Sequence, residues 1–357
     1  MKRIEHWTGL GPILLIFFLF VPIAVILELA HADPLWILLA SAAAIVPLAG
    51  MIGEGTEALA EKVGQRAGGL LNATLGNAAE LIIAIVALRQ GLIELVLASI
   101  TGSILGNLLL VLGLSLLVGG LKNGVQRFDR ENAGIDATML VLSVFALAIP
   151  SFFNLALEPD FQKVEFLSIG ASIAILVMYG LSILYSFTSR TLEANPVARE
   201  AHAPAGWSTR HALIILVIAV GLIALLSEFL VGAVEPVTAS LGLSEFFLGI
   251  ILIPLVGNAA EHFVAVTVAR KNQMDLSLSI AIGSSLQIAL FVAPALVFIS
   301  LALGNPMPLE FTQYEVLAVA AASLIAAFVS LDGKSNWLEG SMLLVLYVIL
   351  GVAFFFL

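Results

Sequence analysis

The chain of 357 residues is 61% hydrophobic and only 11% charged, and it contains no cysteine. A soluble domain of this size needs more polar surface than that, so the composition, with a mean hydropathy of +1.10, defines a polytopic helical membrane protein. A formal charge of -10 argues against nucleic acid as a partner, and the lack of cysteine excludes disulfides, thiolate metal sites and cysteine nucleophiles.

Apolar runs close to the ~20-residue spanning length predict eleven transmembrane helices. Lys2-Arg3, the run Ile13–Leu27 and Ala30-His31-Ala32 have the outline of a signal peptide. The apolar stretch from about residue 10 to 30 is nevertheless long enough to span, and a retained first helix within residues 1–33 is expected. The second helix, 34–53, opens on Pro34 and is followed by an amphipathic tail, Glu54–Gly68. Helices three and four cover 69–89 and 91–119, with a polar loop holding Lys122, Arg127, Asp129, Arg130 and Glu131 after them. Helices five and six cover 135–157 and 166–188. The polar segment 189–210, with Pro196, Pro204 and Gly206, divides the chain into units 34–188 and 211–357. Helices seven to eleven follow at 211–233, 246–269, 275–303, 313–331 and 337–357.

Thirteen of the fifteen lysines and arginines fall on the N-terminal side of this layout, leaving only Arg89 and Lys163 on the other. The positive-inside rule then puts the N-terminus in the cytoplasm and, with eleven spans, the C-terminus outside. An internal repeat agrees. A shift of 181 residues lays Gly76-Asn77-Ala78-Ala79-Glu80 on Gly257-Asn258-Ala259-Ala260-Glu261, Arg89 on Arg270, and Gly102-Ser103-Ile104-Leu105 on Gly283-Ser284-Ser285-Leu286. Thr56-Glu57 and Ser227-Glu228 match more loosely. Each unit holds five spans, an odd number, so the second enters the membrane from the opposite side. That is an all-α, inverted-topology architecture used by many secondary transporters.

Both motif acids interrupt apolar helix, where an acid costs about 2.5–3.5 kcal/mol even on lenient scales. Glu80 lies nine residues before Arg89, and Glu261 nine before Arg270. At 1.5 Å per residue that is roughly 13–14 Å, half of a ~30 Å hydrocarbon core, so both acids are expected near the midplane. Asn77 with Glu80, and Asn258 with Glu261, share a helix face at i, i+3. Gly76 and Gly257 permit a break or a close helix approach, and Pro254 loosens the helix before the second motif. Ser103 and Asn107 in helix four, and Ser284 and Gln287 in helix nine, add neutral polar groups on one face each. Carboxylate, amide and hydroxyl oxygens without thiols suit Ca2+, which takes 6–8 oxygens.

The run GGLLNATLGNAAELII from Gly68 to Ile83 resembles the first signature of the calcium/proton exchangers, and PLVGNAAEH from Pro254 to His262 resembles the second. The resemblance extends from helix two to the end of the chain. It implies a Ca2+:cation antiporter fold in which Glu80 and Glu261 are shared sites for Ca2+ and H+. It also implies that Ser103, Ser284, Gln287 and Asn107 line the site. Some members carry an acidic helix between the halves; here Glu193 and Glu200 are offset by Arg190, Arg199 and Arg210.

Simpler roles compete at several positions. Asn77 and Asn258 also suit interhelical bonding, and Ser103 and Ser284 suit close helix packing. His262 is expected to hydrogen-bond within the bundle rather than ligate calcium, and Glu57 and Glu228 to lie near opposite mouths of the pathway. A hydrolase built on Ser284 and His262 has no echo in the first half, where Leu81 replaces the histidine. A channel needs weak multiple sites, whereas paired buried acids bind strongly and titrate. The expected function is thus a non-enzymatic antiporter in the cell membrane. It exports Ca2+ in exchange for protons, with lipid as its surroundings and no cofactor beyond the transported ions. A sodium-coupled exchanger of the same fold is the alternative.

Overall fold

The computed structural model describes residues 12–63, 68, 71, 74–157, 161–188 and 207–357. Lys2, Arg3, part of the Gly68–Ile83 stretch and most of the 189–210 linker lie outside the described residues. Two pieces of helix, α1 (Pro12–Phe17) and α2 (Phe20–Leu29), come first. They are followed by α3 (Pro34–Val63), α4 (Ala78–Arg89) and α5 (Ile93–Asn123). A two-residue strand, β1 (Gln126–Arg127), precedes α6 (Arg130–Leu157), α7 (Phe161–Thr188), α8 (Thr209–Gly232) and α9 (Val234–Leu241). Then come α10 (Glu245–Gly257), α11 (Ala259–Arg270), α12 (Met274–Leu303), α13 (Gln313–Ser330), β2 (Lys334–Ser335) and α14 (Trp337–Phe355).

Among the described residues, eight helices are long and apolar enough to cross a membrane. A ninth arises if α10 and α11, bent by 61° where they meet, are one broken span. The sequence reads 246–269 as one span that Gly257 permits to break; the chain turns at Asn258, directly after that glycine, and Ala259 starts a new helix. The first motif behaves alike, with turn backbone at Gly76-Asn77 and α4 beginning at Ala78. Near the N-terminus the expected first span is interrupted at Phe18-Leu19. Pro22 sits in the first turn of α2, where its missing N–H removes a bond that would join the two pieces. The tail after the second span is no separate element. It continues α3 to Val63, and Thr56, Ala58 and Leu59 in it are buried.

Helices α3 and α8 make the most extensive contact in the molecule. The motif helix α4 packs against α8, and α11 packs against α3 and the second half of α5. Where α5 crosses α10 the two backbones nearly touch: a β-carbon on Gly102 would overlap the carbonyl of Ile250. Only glycine permits that approach.

The 181-residue spacing reappears in the backbone. Each motif helix ends on a left-handed residue, Gly91 after α4 and Asn272 after α11. Each end is closed alike, with Leu92 N–H donating to Ala87 O and Gln273 N–H to Val268 O, both 3.0 Å. Helices α5 and α12 both contain π-helical turns, Gly106–Val111 and Ile288–Val292. Asn107 lies in the first and Gln287 directly precedes the second, in keeping with the frequent placement of such bulges at functional sites.

Candidate cation site

Glu80 and Glu261 occupy the first turns of α4 and α11, where unpaired N–H groups favour a carboxylate. Asn77 and Asn258 stand at the N-cap positions, yet neither side chain caps its own helix. Their amides reach across the molecule instead. Asn77 Nδ2 donates to Gln287 Oε1 at 2.6 Å, and its Oδ1 accepts from Ser284 Oγ at 3.1 Å. Asn107 Nδ2 donates to the same serine oxygen at 3.1 Å. On the other side Asn258 Nδ2 donates to Ser103 Oγ at 3.2 Å and to Pro254 O at 3.1 Å.

The eight residues anticipated from the sequence are thus brought close: Asn77, Asn107, Ser284 and Gln287 form one bonded group, Asn258 and Ser103 a second, Glu80 lies against Gly257 beside Asn258, and Glu261 follows Asn258 in the first turn of α11. The first motif is tied to α12 and the second to α5. Most of the centre is buried, with Glu80 at 7% exposure and Asn258 at 0%, whereas Glu261 and Gln287 are partly accessible. Among the described residues no cluster of three or more acids or histidines is spaced to hold a metal. The centre rests on two carboxylates and neutral oxygens.

The pattern of unmet hydrogen bonds is informative. Both oxygens of Glu80, Oε2 of Glu261 and Oδ1 of Asn258 are buried without a donor. All four are acceptors. Buried polar atoms are normally paired, and a cluster of acceptors lacking donors matches what a hard cation, or a proton on a carboxylate, satisfies. His262 also buries its Nε2 without a partner.

Other features escape sequence reading. Glu315 in α13 is 2% exposed and accepts from Thr101 Oγ1 at 2.9 Å. Thr101 is two residues from Ser103, about 200° around α5, so Glu315 lies behind the site and not in it. Its other oxygen accepts from Thr312 N–H at 2.7 Å, completing a capping box. Glu228, expected at a pathway mouth, pairs with Arg89 at 2.8 Å and joins α8 to the end of α4. Pro254 follows the π-helical turns Leu248–Leu252, in line with its expected loosening of this helix.

A bundle of apolar helices around an oxygen-lined, acid-bearing centre defines an ion-handling membrane protein. The chain belongs to the sodium/calcium exchanger protein family, whose model matches residues 34–188 and 211–356. The Ca(2+)/H(+) antiporter of Aphanothece halophytica is 45% identical over 353 residues, covering 95% of each chain. The selenium-substituted Ca2+/H+ antiporter protein YfkE is 41% identical, with a TM-score of 0.85 over 97% of this chain and 100% of that one. The H+/Ca2+ exchanger CAX, at 18% identity and a TM-score of 0.72 over 96% and 91% of the two chains, shares the fold.

Proposed function

We propose that this protein is a secondary antiporter that exports Ca2+ from the cytoplasm in exchange for H+, by alternating access around Glu80 and Glu261. The observation that carries the reading is the set of buried acceptor oxygens without donors on Glu80, Glu261 and Asn258. The relatives named Ca2+/H+ antiporters, similar over nearly the whole chain, support the same ion pair.

In the cytoplasm-facing state the two carboxylates are ionised and take Ca2+ between them, while Asn77, Asn258, Ser103, Ser284, Gln287 and Asn107 supply or orient neutral oxygens. After the ion departs, two neighbouring carboxylates in a poorly hydrated centre cannot both stay charged. Protons take its place, and the neutral pair returns. Exchange through these two acids alone is 2H+ per Ca2+ and electroneutral.

The architecture that fits this cycle has eleven spans: an N-terminal helix in 1–33 and two inverted five-helix repeats, 34–188 and 211–357, joined by a cytoplasmic linker, 189–210. The recurrence of helix ends and π-helical turns at the 181-residue spacing supports the repeat. The N-terminus is cytoplasmic and the C-terminus outside, in a plasma or inner membrane.

The test is radiolabelled Ca2+ flux in proteoliposomes. Uptake into vesicles with an acidic lumen is expected to follow the pH gradient, to collapse with nigericin in potassium medium, and to ignore an imposed Na+ gradient. Uptake driven by Na+ with the pH gradient clamped at zero rejects proton coupling in favour of the sodium-coupled alternative.

A further inference from the structure

The far ends of the two motif helices are held in a way that ion binding does not by itself require. The last carbonyls of a helix lack intrahelical partners. In α4 one of these, Leu88 O, accepts from Asn305 Nδ2 at 2.8 Å. In α11 the residue 181 positions on is Ala269, whose O accepts from Gln126 Nε2 at 2.9 Å and from Asn123 Nδ2 at 3.3 Å. The donors come from comparable helix ends, though not from positions that the 181-residue shift superposes. Asn123 and Gln126 flank Gly124, the left-handed residue that ends α5, and Asn305 follows Gly304, the left-handed residue that ends α12.

The same two long helices hold the near ends. Helix α12 supplies Ser284 and Gln287 to Asn77 at the start of α4, and the loop after it supplies Asn305 to the end of α4. Helix α5 supplies Ser103 to Asn258 at the start of α11, and its last residue Asn123, with Gln126 of β1, holds the end of α11. Each motif helix is thus fastened at two points to a helix of the opposite half. Twelve residues of helix make a stiff strut of about 18 Å, so fixing its end sets the depth and rotation of the glutamate at its start.

The anchors are themselves immobilised. Gln126 is 1% exposed, sits where a β-carbon on Gly119 would collide with it, and belongs to β1, which pairs with β2. After Asn305 the chain runs inward through buried Met307 and Leu309. Its amides are taken by serine hydroxyls: Met307 N–H by Ser300, Leu309 N–H by Ser168 and Phe311 N–H by Ser151, at 2.8–2.9 Å.

We propose that Asn305 and Gln126 are positioning residues, one from each half, that fix Glu80 and Glu261 against the neutral groups of α12 and α5. The pairs α4 with α12 and α11 with α5 then keep their internal geometry through the transport cycle. This rests on the antiporter reading above.

The test uses the full chain in proteoliposomes. Asn305→Asp and Gln126→Glu keep the shape but replace the donating amide by a group that accepts only. Each is expected to raise the Ca2+ KM roughly three- to tenfold, the scale of one lost hydrogen bond, with Vmax within about twofold of wild type. Where a carboxylate variant does not fold, Asn305→Ala and Gln126→Ala replace it, read by the Ca2+ concentration that protects purified protein against thermal unfolding. An unchanged Ca2+ KM, whether or not Vmax or thermal stability falls, reduces these amides to structural caps and overturns the proposal alone. Wild-type protein without Ca2+/H+ exchange in the same vesicles overturns the antiporter reading and this proposal with it.

Discussion

Glu80, the acid of the first motif, lies against Gly257, the first residue of the second. A β-carbon at position 257 would stand 2.9 Å from Glu80 Cγ and 3.2 Å from Oε1. The glycine is therefore the seat of the opposite half's carboxylate as well as a point of helix breakage. Gly257→Ala is expected to push Glu80 aside and to raise the Ca2+ KM at least about tenfold, because a displacement near 1 Å is costly at a charged site. Flux assays over a range of Ca2+ check this; a wild-type KM would mean that Glu80 has room to move.

Glu80→Gln and Glu261→Gln are each expected to abolish exchange while the protein still folds and inserts. The amide keeps the side chain's shape but neither ionises nor carries a proton for the ion. Gradient-driven flux beside a size-exclusion profile separates loss of function from loss of fold. Substantial exchange by either variant rejects the two-carboxylate mechanism.

The serines should not be equivalent. Ser284 bonds both Asn77 and Asn107, so Ser284→Ala strips partners from two buried amides. Ser103→Ala leaves Asn258 Nδ2 its bond to Pro254 O. Weakened apparent Ca2+ affinity is expected in both, and the larger change, about 1–3 kcal/mol in RT ln KM, at Ser284. Equal effects would show that the network transmits nothing between these groups.

Labelling tests orientation, and the absence of native cysteine makes it clean. Strands β1 and β2 pair Arg127 with Lys334, so cysteines introduced at these two positions must react from the same side. The side expected from the charge count is the cytoplasm. Reaction from outside would invert the topology.

Glu315 is buried with its bonds satisfied, unlike the motif acids. Glu315→Gln, which still accepts from Thr101 and still suits a capping box, is expected to leave the H+:Ca2+ ratio unchanged. Counterflow of protons and calcium measured in the same vesicles checks this. A changed ratio would make Glu315 a coupling group.

The polar centre was largely legible in the sequence because its signals are local. A carboxylate in an apolar run, repeated in one five-residue frame, needs no tertiary information to stand out. Helix positions were legible for the same reason, from Pro34 at the start of α3 to Trp337 at the start of α14. The partners were not. Arg89 and Glu228 are 139 positions apart, and Asn305 and Leu88 are 217 apart. Nothing in either local stretch distinguishes an amide that grips a distant carbonyl from one that faces water. The size of the bend at Asn258 was not legible either: Gly257 permits a break there, but hydropathy measures only how apolar a span is and not how far it turns.

The unsatisfied oxygens of Glu80 and Glu261 also bear on leakage. A carrier wastes its gradient when it crosses with nothing bound, and here that crossing would take bare carboxylates through the low-dielectric interior. The penalty for an unpaired buried charge is several kcal/mol, enough to make an empty passage at least a hundredfold rarer than a loaded one by order of magnitude. Tight coupling then needs no separate lock: discomfort of the vacant state suppresses slippage by itself.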